Sequence, residues 1–82
     1  SFLAFDATYA RSAIGVFSTE MVQEFFKGFV DHAHITLHLT LLSGINAHHQ
    51  VEATFKAAAR ALRLAVALDP RITDIPSTKG SL

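Results

Sequence analysis

The chain has 82 residues, half of them hydrophobic, and carries no formal net charge when histidine is neutral. This length suffices for one small domain, and the balanced charge gives no reason to expect nucleic acid or an acidic membrane as a partner. The absence of cysteine excludes disulfides and thiolate metal sites, and it fits a reducing compartment. No apolar run approaches the roughly 18–20 residues of a membrane span, and no signal-peptide pattern is evident. Seven phenylalanines are many for a small monomer, so we expect another polypeptide to cover part of the apolar surface.

The first part of the chain predicts two strands and a helix. Residues 2–9 alternate without a clearly polar face, which predicts a strand covered on both sides. Residues 12–17 predict a short second strand. Ser18 or Thr19 can cap a helix that runs to about His32. The apolar side chains that recur there at helical spacing are Met21, Val22, Phe25, Phe26, Phe29 and Val30.

The second part predicts a strand, a helix and a tail. In residues 35–41, isoleucine and leucine alternate with threonine and histidine, which is typical of a half-buried strand. Asn46 is a good N-cap for an alanine-rich helix that runs to Leu68, and Asp69 and Pro70 stop it. Residues 72–82 should form a loop or tail. This order of elements predicts an α+β fold with two helices packed on one face of a sheet.

A histidine pair at the start of the second predicted helix is the main chemical signal. His48 and His49 lie four and three residues before Glu52, so each shares a helical face with that carboxylate. Imidazole nitrogen and carboxylate oxygen together bind divalent zinc, manganese or iron. Adjacent side chains point about 100° apart on a helix, so we expect the two histidines to reach two ions. Adjacent histidines near a helix start are also often solvated polar residues. A lysine four residues after a glutamate, as Lys56 is after Glu52, is often a simple ion-pair partner.

A second signal lies in residues 76–80, Pro-Ser-Thr-Lys-Gly. Hydroxyls, a lysine and a flexible glycine suit phosphate binding. The same composition is also common in mobile tails. His32 and His38 are assigned to structure, since His38 lies on the polar side of its predicted strand.

Residues 44–57 carry the clearest family resemblance. Their sequence, GINAHH followed by VEATFKA, is similar to the second metal-binding motif of the imidazoleglycerol-phosphate dehydratases. Further segments resemble that family in the same order, over essentially the whole chain. They are residues 17–22 (FSTEMV), 24–26 (EFF), 35–39 (ITLHL), 59–63 (ARALR) and 76–80 (PSTKG). The chain thereby resembles the C-terminal half of the family, its second repeat.

The resemblance implies a fold and an assembly. The family duplicates a four-stranded sheet with two helices on one face, a ribosomal-protein-S5-domain-2-like fold. Residues 1–82 would form the second repeat as a single domain, with the first repeat absent from this chain. Family members are cytoplasmic and assemble as trimers and, with metal, as 24-subunit shells. Their active sites lie between subunits, and each holds two manganese ions shared between chains.

The resemblance also implies metal ligands at particular positions. His48, His49 and Glu52 match metal ligands that also contact the substrate. Glu24 matches a further ligand position, at which several members have histidine. His34 stands where glycine is common, and it is expected to close the turn before the next strand differently.

Phosphate-binding positions follow from the same resemblance. Lys56, Ser77, Thr78 and Lys79 match residues that hold the phosphate of the small-molecule substrate. The family's phosphate-binding arginine would lie just before Ser1, and its general base, a glutamate, would lie in the first repeat. No catalytic base is therefore assigned within this chain.

The implied reaction removes water from imidazole glycerol phosphate and gives imidazole acetol phosphate, a step of histidine biosynthesis. It is the reaction of a carbon–oxygen lyase, and an isolated half is expected to be inactive. One alternative is a half-domain that binds divalent metal and self-associates without turnover, pairing with other copies or with the missing N-terminal half. Another is a plain helical interaction module, which would bind no metal. Neither nucleic acid nor membrane is expected as a partner.

Overall fold

The computed structural model describes residues 1–67, which form four short strands and two helices. In chain order they are β1 (Phe2–Asp6), β2 (Ala13–Ile14), β3 (Phe17–Ser18), α1 (Glu20–Ala33), β4 (Thr36–Thr40) and α2 (Ala47–Ala65). The predicted α+β class and both predicted helices are confirmed. Helix α2 ends at Ala65, three residues before the predicted Leu68. The predicted stop at residues 69–70 and the predicted tail lie outside the described residues.

The main sheet pairs β1 with β4 in parallel. Phe2 lies opposite Thr36 at one end of the ladder, and Asp6 lies opposite Thr40 at the other. Helix α1 lies between the two strands in the chain and provides the crossover that parallel neighbours require. The N–H of Leu41 extends the pairing by donating to the Asp6 carbonyl at 2.8 Å.

Strands β2 and β3 form a separate antiparallel hairpin, in which Ile14 pairs with Phe17. A single strand over residues 12–17 was predicted, and this prediction is wrong because the chain reverses at Gly15. Gly15 has φ 60°, which is the positive value that two-residue hairpin turns require at their first central residue. The four strands in residues 1–67 therefore form two two-stranded sheets, and the four-stranded sheet is only partly present.

One face of the β1–β4 sheet supports the core. Val22, Phe26 and Val30 of α1 are at most 2% exposed and pack with Leu37 and Leu39 of β4. Their spacing of four residues gives α1 one continuous apolar stripe. The alternation predicted for β4 is confirmed, since its threonines and its histidine are exposed. The apolar side chains that line this core at partial burial are Leu3, Phe5, Tyr9, Ile35 and Val51.

Within residues 1–67, the opposite face of that sheet is exposed. Phe2 is 58% exposed, and its neighbours across the ladder, Thr36 and His38, are also exposed. The prediction that the first strand is covered on both sides is therefore wrong for residues 1–67, because the two helices supply a single covering layer. Neither helix in this range combines the length and the apolar composition needed to cross a membrane.

The helix ends are set by local chemistry. Thr19 occupies the N-cap position of α1 without capping through its own side chain, while the Ser18 Oγ accepts from the Glu20 N–H at 3.3 Å. After Ala33 the chain turns at His34, which has φ 55° and ψ 47°. The Ile35 N–H donates to the Val30 carbonyl at 3.3 Å, which is the six-to-one bond of a Schellman motif, and the His34 N–H donates to the same carbonyl. His34 thus adopts the left-handed conformation that usually belongs to glycine.

Candidate metal centre

The first turn of α2 presents the predicted ligands. Asn46 is the N-cap, as predicted, and its side-chain oxygen accepts a hydrogen bond from the His49 N–H at 3.0 Å. His48, His49 and Glu52 are all exposed on this turn and the next. Their donor atoms are therefore accessible to an ion or to another polypeptide.

The two imidazoles face different surroundings. Their ring centroids are 5.8 Å apart, and the ring planes are inclined by 49°. His48 lines a pocket of about 290 Å³ that it shares with Arg11 and with the β2–β3 hairpin. His49 lines a neighbouring pocket of about 230 Å³, between the start of α2 and the loop after β4. The two histidines thus adjoin different pockets, and their role in reaching two ions stays a prediction.

Glu52 forms an ion pair one turn further along α2. The Lys56 Nζ lies 3.4 Å from the Glu52 Oε1, and the two side chains are 69% and 52% exposed. An exposed pair at this spacing contributes only about 0.3–0.5 kcal/mol. The Glu52 carboxylate can therefore exchange this partner for another at little cost, and Lys56 can do the same.

Glu24 lies on the other helix. It is exposed on α1 and lies two residues from both Val22 and Phe26, which places it on the helix side opposite the buried stripe. Within residues 1–67, no three or more His, Cys, Asp or Glu side chains are grouped so that they could hold one ion. This part of the chain thus does not gather Glu24 with the α2 residues, and its role as a ligand stays a prediction.

The other predicted positions divide into two groups. Ser77, Thr78 and Lys79 lie outside the described residues, so their predicted role in binding phosphate stays a prediction. His32 and His38 are exposed, and their assignment to structure stays a prediction. The ring of His38 lies 6.0 Å from the ring of Phe2 on the open face of the sheet.

The residues that hold α2 in place were not predicted from the sequence. Gln50 and Thr54 are buried on the inner side of this helix, and the Tyr9 hydroxyl lies 3.0 Å from the Thr54 Oγ1. Arg11, which lines the His48 pocket, was also missed. The only signal in the sequence was the polar pair Gln50 and Thr54 at a spacing of four on an otherwise alanine-rich helix.

Comparisons with known proteins identify the family. The family model of imidazoleglycerol-phosphate dehydratase matches residues 1–62. The enzyme of this name from Nitrosomonas eutropha is 58% identical over 81 residues, and that from Methylobacillus flagellatus is 59% identical over 81 residues. Each match covers 98% of this chain, but 42% of the first relative and 41% of the second.

A solved structure agrees with the sequence relatives. The crystal structure of imidazoleglycerol-phosphate dehydratase from Staphylococcus aureus matches with a TM-score of 0.80 and 43% identity. The match covers 83% of this chain and 40% of that one. The chain spans about two fifths of the length of the curated relatives it matches. It therefore belongs to the imidazoleglycerol-phosphate dehydratase family.

Proposed function

We propose that this chain is the second repeat of a manganese-dependent dehydratase of histidine biosynthesis. The reaction would convert imidazole glycerol phosphate to imidazole acetol phosphate, and the chain would supply one ligand arm and part of the phosphate site. The observation that carries the proposal is the pair of adjacent histidines that line two different pockets, in a chain 58% identical to a curated dehydratase.

The donor set fits manganese. His48 and His49 offer imidazole nitrogens and Glu52 offers a carboxylate, a combination that suits divalent manganese without any thiolate. All three are exposed, so binding an ion requires no opening of the core. When bound, the metal would supply Lewis-acid polarisation and a template for the substrate. Because the two histidines diverge, each ion needs further ligands from outside this turn, among which we include Glu24 of another subunit.

The phosphate site is proposed to adjoin these ligands. Lys56 lies one turn beyond Glu52, about 6 Å further along the helix axis. Its ammonium can leave the exposed pair with Glu52 and bind a phosphate oxygen as a point charge. We include Ser77, Thr78 and Lys79 as the further donors of this site. The general base is assigned to the first repeat, so this chain binds and orients the substrate but does not move its proton.

An exposed aromatic surface supports the proposal that the chain works in an assembly. Phe25 is 53% exposed, and its ring lies 5.2 Å from the rings of both Phe26 and Phe55. The ring of Phe29 stacks on Phe25 at 6.3 Å, and Met21 is 54% exposed on the same helix. We call these five residues of α1 and α2 the aromatic surface. It continues the core outward, as expected for an interface with the first repeat or with another copy. A cytoplasmic trimer or 24-subunit shell is the proposed form of the complete enzyme.

A manganese titration tests the metal site. We expect the chain to bind manganese, and we expect the double variant His48→Ala, His49→Ala to lose at least about tenfold in affinity, because it removes both nitrogen donors. Isothermal titration measures both affinities. His38→Ala is the matched control, since it removes an exposed imidazole that lies beside Phe2 on the sheet and away from α2. Equal affinity of the chain and the double variant would contradict the proposal and favour a plain interaction module.

A further inference from the structure

We infer that Gln50 is a positioning residue, which fixes the first turn of α2 and thereby the different directions of His48 and His49. This inference rests on the proposed function, in which the two histidines are metal ligands. The contacts that support it all lie within this chain. Gln50 lies directly after His49 in the helix, and it is only 6% exposed although its side chain is polar.

The Gln50 side chain joins two separate backbone segments. Its Oε1 accepts a hydrogen bond from the Ala10 N–H at 2.7 Å, in the segment between β1 and β2. Its Nε2 donates to the Gly44 carbonyl at 3.0 Å, in the loop between β4 and α2. One partner can only donate and the other can only accept, so the amide has one orientation in which both bonds form.

The loop before α2 is shaped around this side chain. Gly44 has φ 142°, a backbone conformation that residues other than glycine rarely adopt. A Cβ placed there would lie 2.6 Å from the Gln50 Cγ and 2.8 Å from its Nε2. The close approach of loop and side chain thus requires glycine, and it leaves Gln50 little freedom to change rotamer.

A second anchor lies one turn further on the same side of α2. The Thr54 Oγ1 donates to the Gln50 carbonyl at 2.9 Å, and the Tyr9 hydroxyl lies 3.0 Å from the same Oγ1. Since the Thr54 proton is used within the helix, the Tyr9 hydroxyl is the donor in that second bond. Tyr9 and Ala10 are adjacent, so one short segment after β1 contacts α2 at both anchors.

Two anchors on one side set the rotation of the helix about its axis. His49 lies about 100° from Gln50 around that axis, and His48 lies about 200° from it. A rotation of α2 would therefore turn both imidazoles away from their pockets together. Gln50 itself lines the His49 pocket, which links its amide directly to the surroundings of that ligand. A buried apolar side chain would fill the same space but would leave the Ala10 N–H and the Gly44 carbonyl unpaired.

The test compares three variants of the full chain. Gln50→Met keeps the length and the helix propensity of the side chain and removes both hydrogen bonds. Gln50→Glu keeps the acceptor for the Ala10 N–H and removes the donor to the Gly44 carbonyl. The control is Ala58→Gly, two turns further along α2, where the side chain is 2% exposed and the substitution weakens the helix away from the histidines.

Two readouts separate positioning from stability. The first is the ¹⁵N order parameter of the His48 and His49 amides without metal, relative to amides in the middle of α2. The second is manganese affinity by isothermal titration. In Gln50→Met we expect the order parameters of the first turn to fall selectively, and manganese affinity to fall about 10–100-fold, as when a group that orients a ligand is lost. Ala58→Gly should lower the melting temperature and leave both readouts of the first turn unchanged.

The outcomes are distinguishable. Unchanged order parameters of His48 and His49 in folded Gln50→Met would overturn the inference, and so would an equal loss of manganese affinity in Ala58→Gly. If Gln50→Met does not fold, the same two readouts on Gln50→Glu decide. If the unaltered chain binds no manganese, the proposed metal site fails, while the order parameters still decide whether Gln50 fixes the turn.

Discussion

At the scale of single residues, His34 occupies a backbone conformation in which another amino acid is usual. It closes α1 with φ 55° and ψ 47°, where glycine is the common choice. The left-handed region is unfavourable by roughly 1–2 kcal/mol for a residue with a Cβ. The side chain is exposed and has no hydrogen bond within residues 1–67, so no hydrogen bond there offsets the strain. Histidine at this position costs stability without a visible structural gain.

The substitution His34→Gly is therefore expected to stabilise the chain by roughly 1 kcal/mol, because it relieves the left-handed strain at an exposed residue. For a domain of this size, that gain corresponds to a rise in melting temperature of about 4–8 °C. Thermal unfolding followed by circular dichroism measures it. His34→Ala is the control, since it truncates the side chain but keeps the Cβ, and it should give no rise. A melting temperature of His34→Gly at or below that of the unaltered chain would refute this explanation.

At the scale of elements, we expect replacement of glycine by alanine to change stability in opposite directions in the loop before α2 and in helix α1. Gly44→Ala would place a Cβ 2.6 Å from the Gln50 Cγ at a φ of 142°, and we expect it to destabilise the chain by about 1–3 kcal/mol. Gly28 lies inside α1, and a Cβ there would meet no atom of residues 1–67 within 4 Å other than the backbone of its own helix turn. Gly28→Ala should therefore stabilise by about 0.5–1 kcal/mol through helix propensity alone.

Urea denaturation of the two glycine variants measures both changes in the free energy of unfolding. The opposite signs are the decisive result, since the two variants add the same methyl group. Destabilisation by both would mean that the space around Gly28 is not open. Neutral behaviour of Gly44→Ala would mean that Gln50 moves freely, which would weaken the case for its fixed rotamer.

The elements also show which features a sequence can predict. Both helices and β4 were predicted because periodic apolar residues and the Asn46 cap are local signals, and the chain obeys them. The β2–β3 hairpin was missed because its turn falls inside an apolar run and depends on Gly15 alone. The spacing of His48, His49 and Glu52 predicts metal ligands, and this stays a prediction. The role of Gln50 was not found, because its partner Ala10 is 40 residues away and only the folded chain brings them together.

At the scale of the whole molecule, we expect the aromatic surface to determine whether this chain associates in solution. Phe25 is the ring that links its buried and exposed parts, since it lies 5.2 Å from Phe26, which is 2% exposed, and is itself 53% exposed. Covering such a surface with another apolar face lowers the free energy of the system, because apolar area is removed from water. A second copy can supply that face by an isologous contact, in which each chain offers the other the same helices.

We therefore expect the chain to associate with itself at micromolar concentration, and sedimentation with and without manganese measures this. Phe25→Asp should shift the population to monomer, because it places a charge in the centre of the aromatic surface. Val16→Asp is the control, since Val16 is fully exposed on the hairpin and the same charge there should leave association unchanged.

The associated chain should still turn over imidazole glycerol phosphate at least about 10²–10⁴-fold more slowly than a full-length dehydratase, which is the typical cost of a missing general base. A chain that stays monomeric with manganese would contradict self-association. Turnover close to that of a full-length enzyme would show that the base lies within these 82 residues.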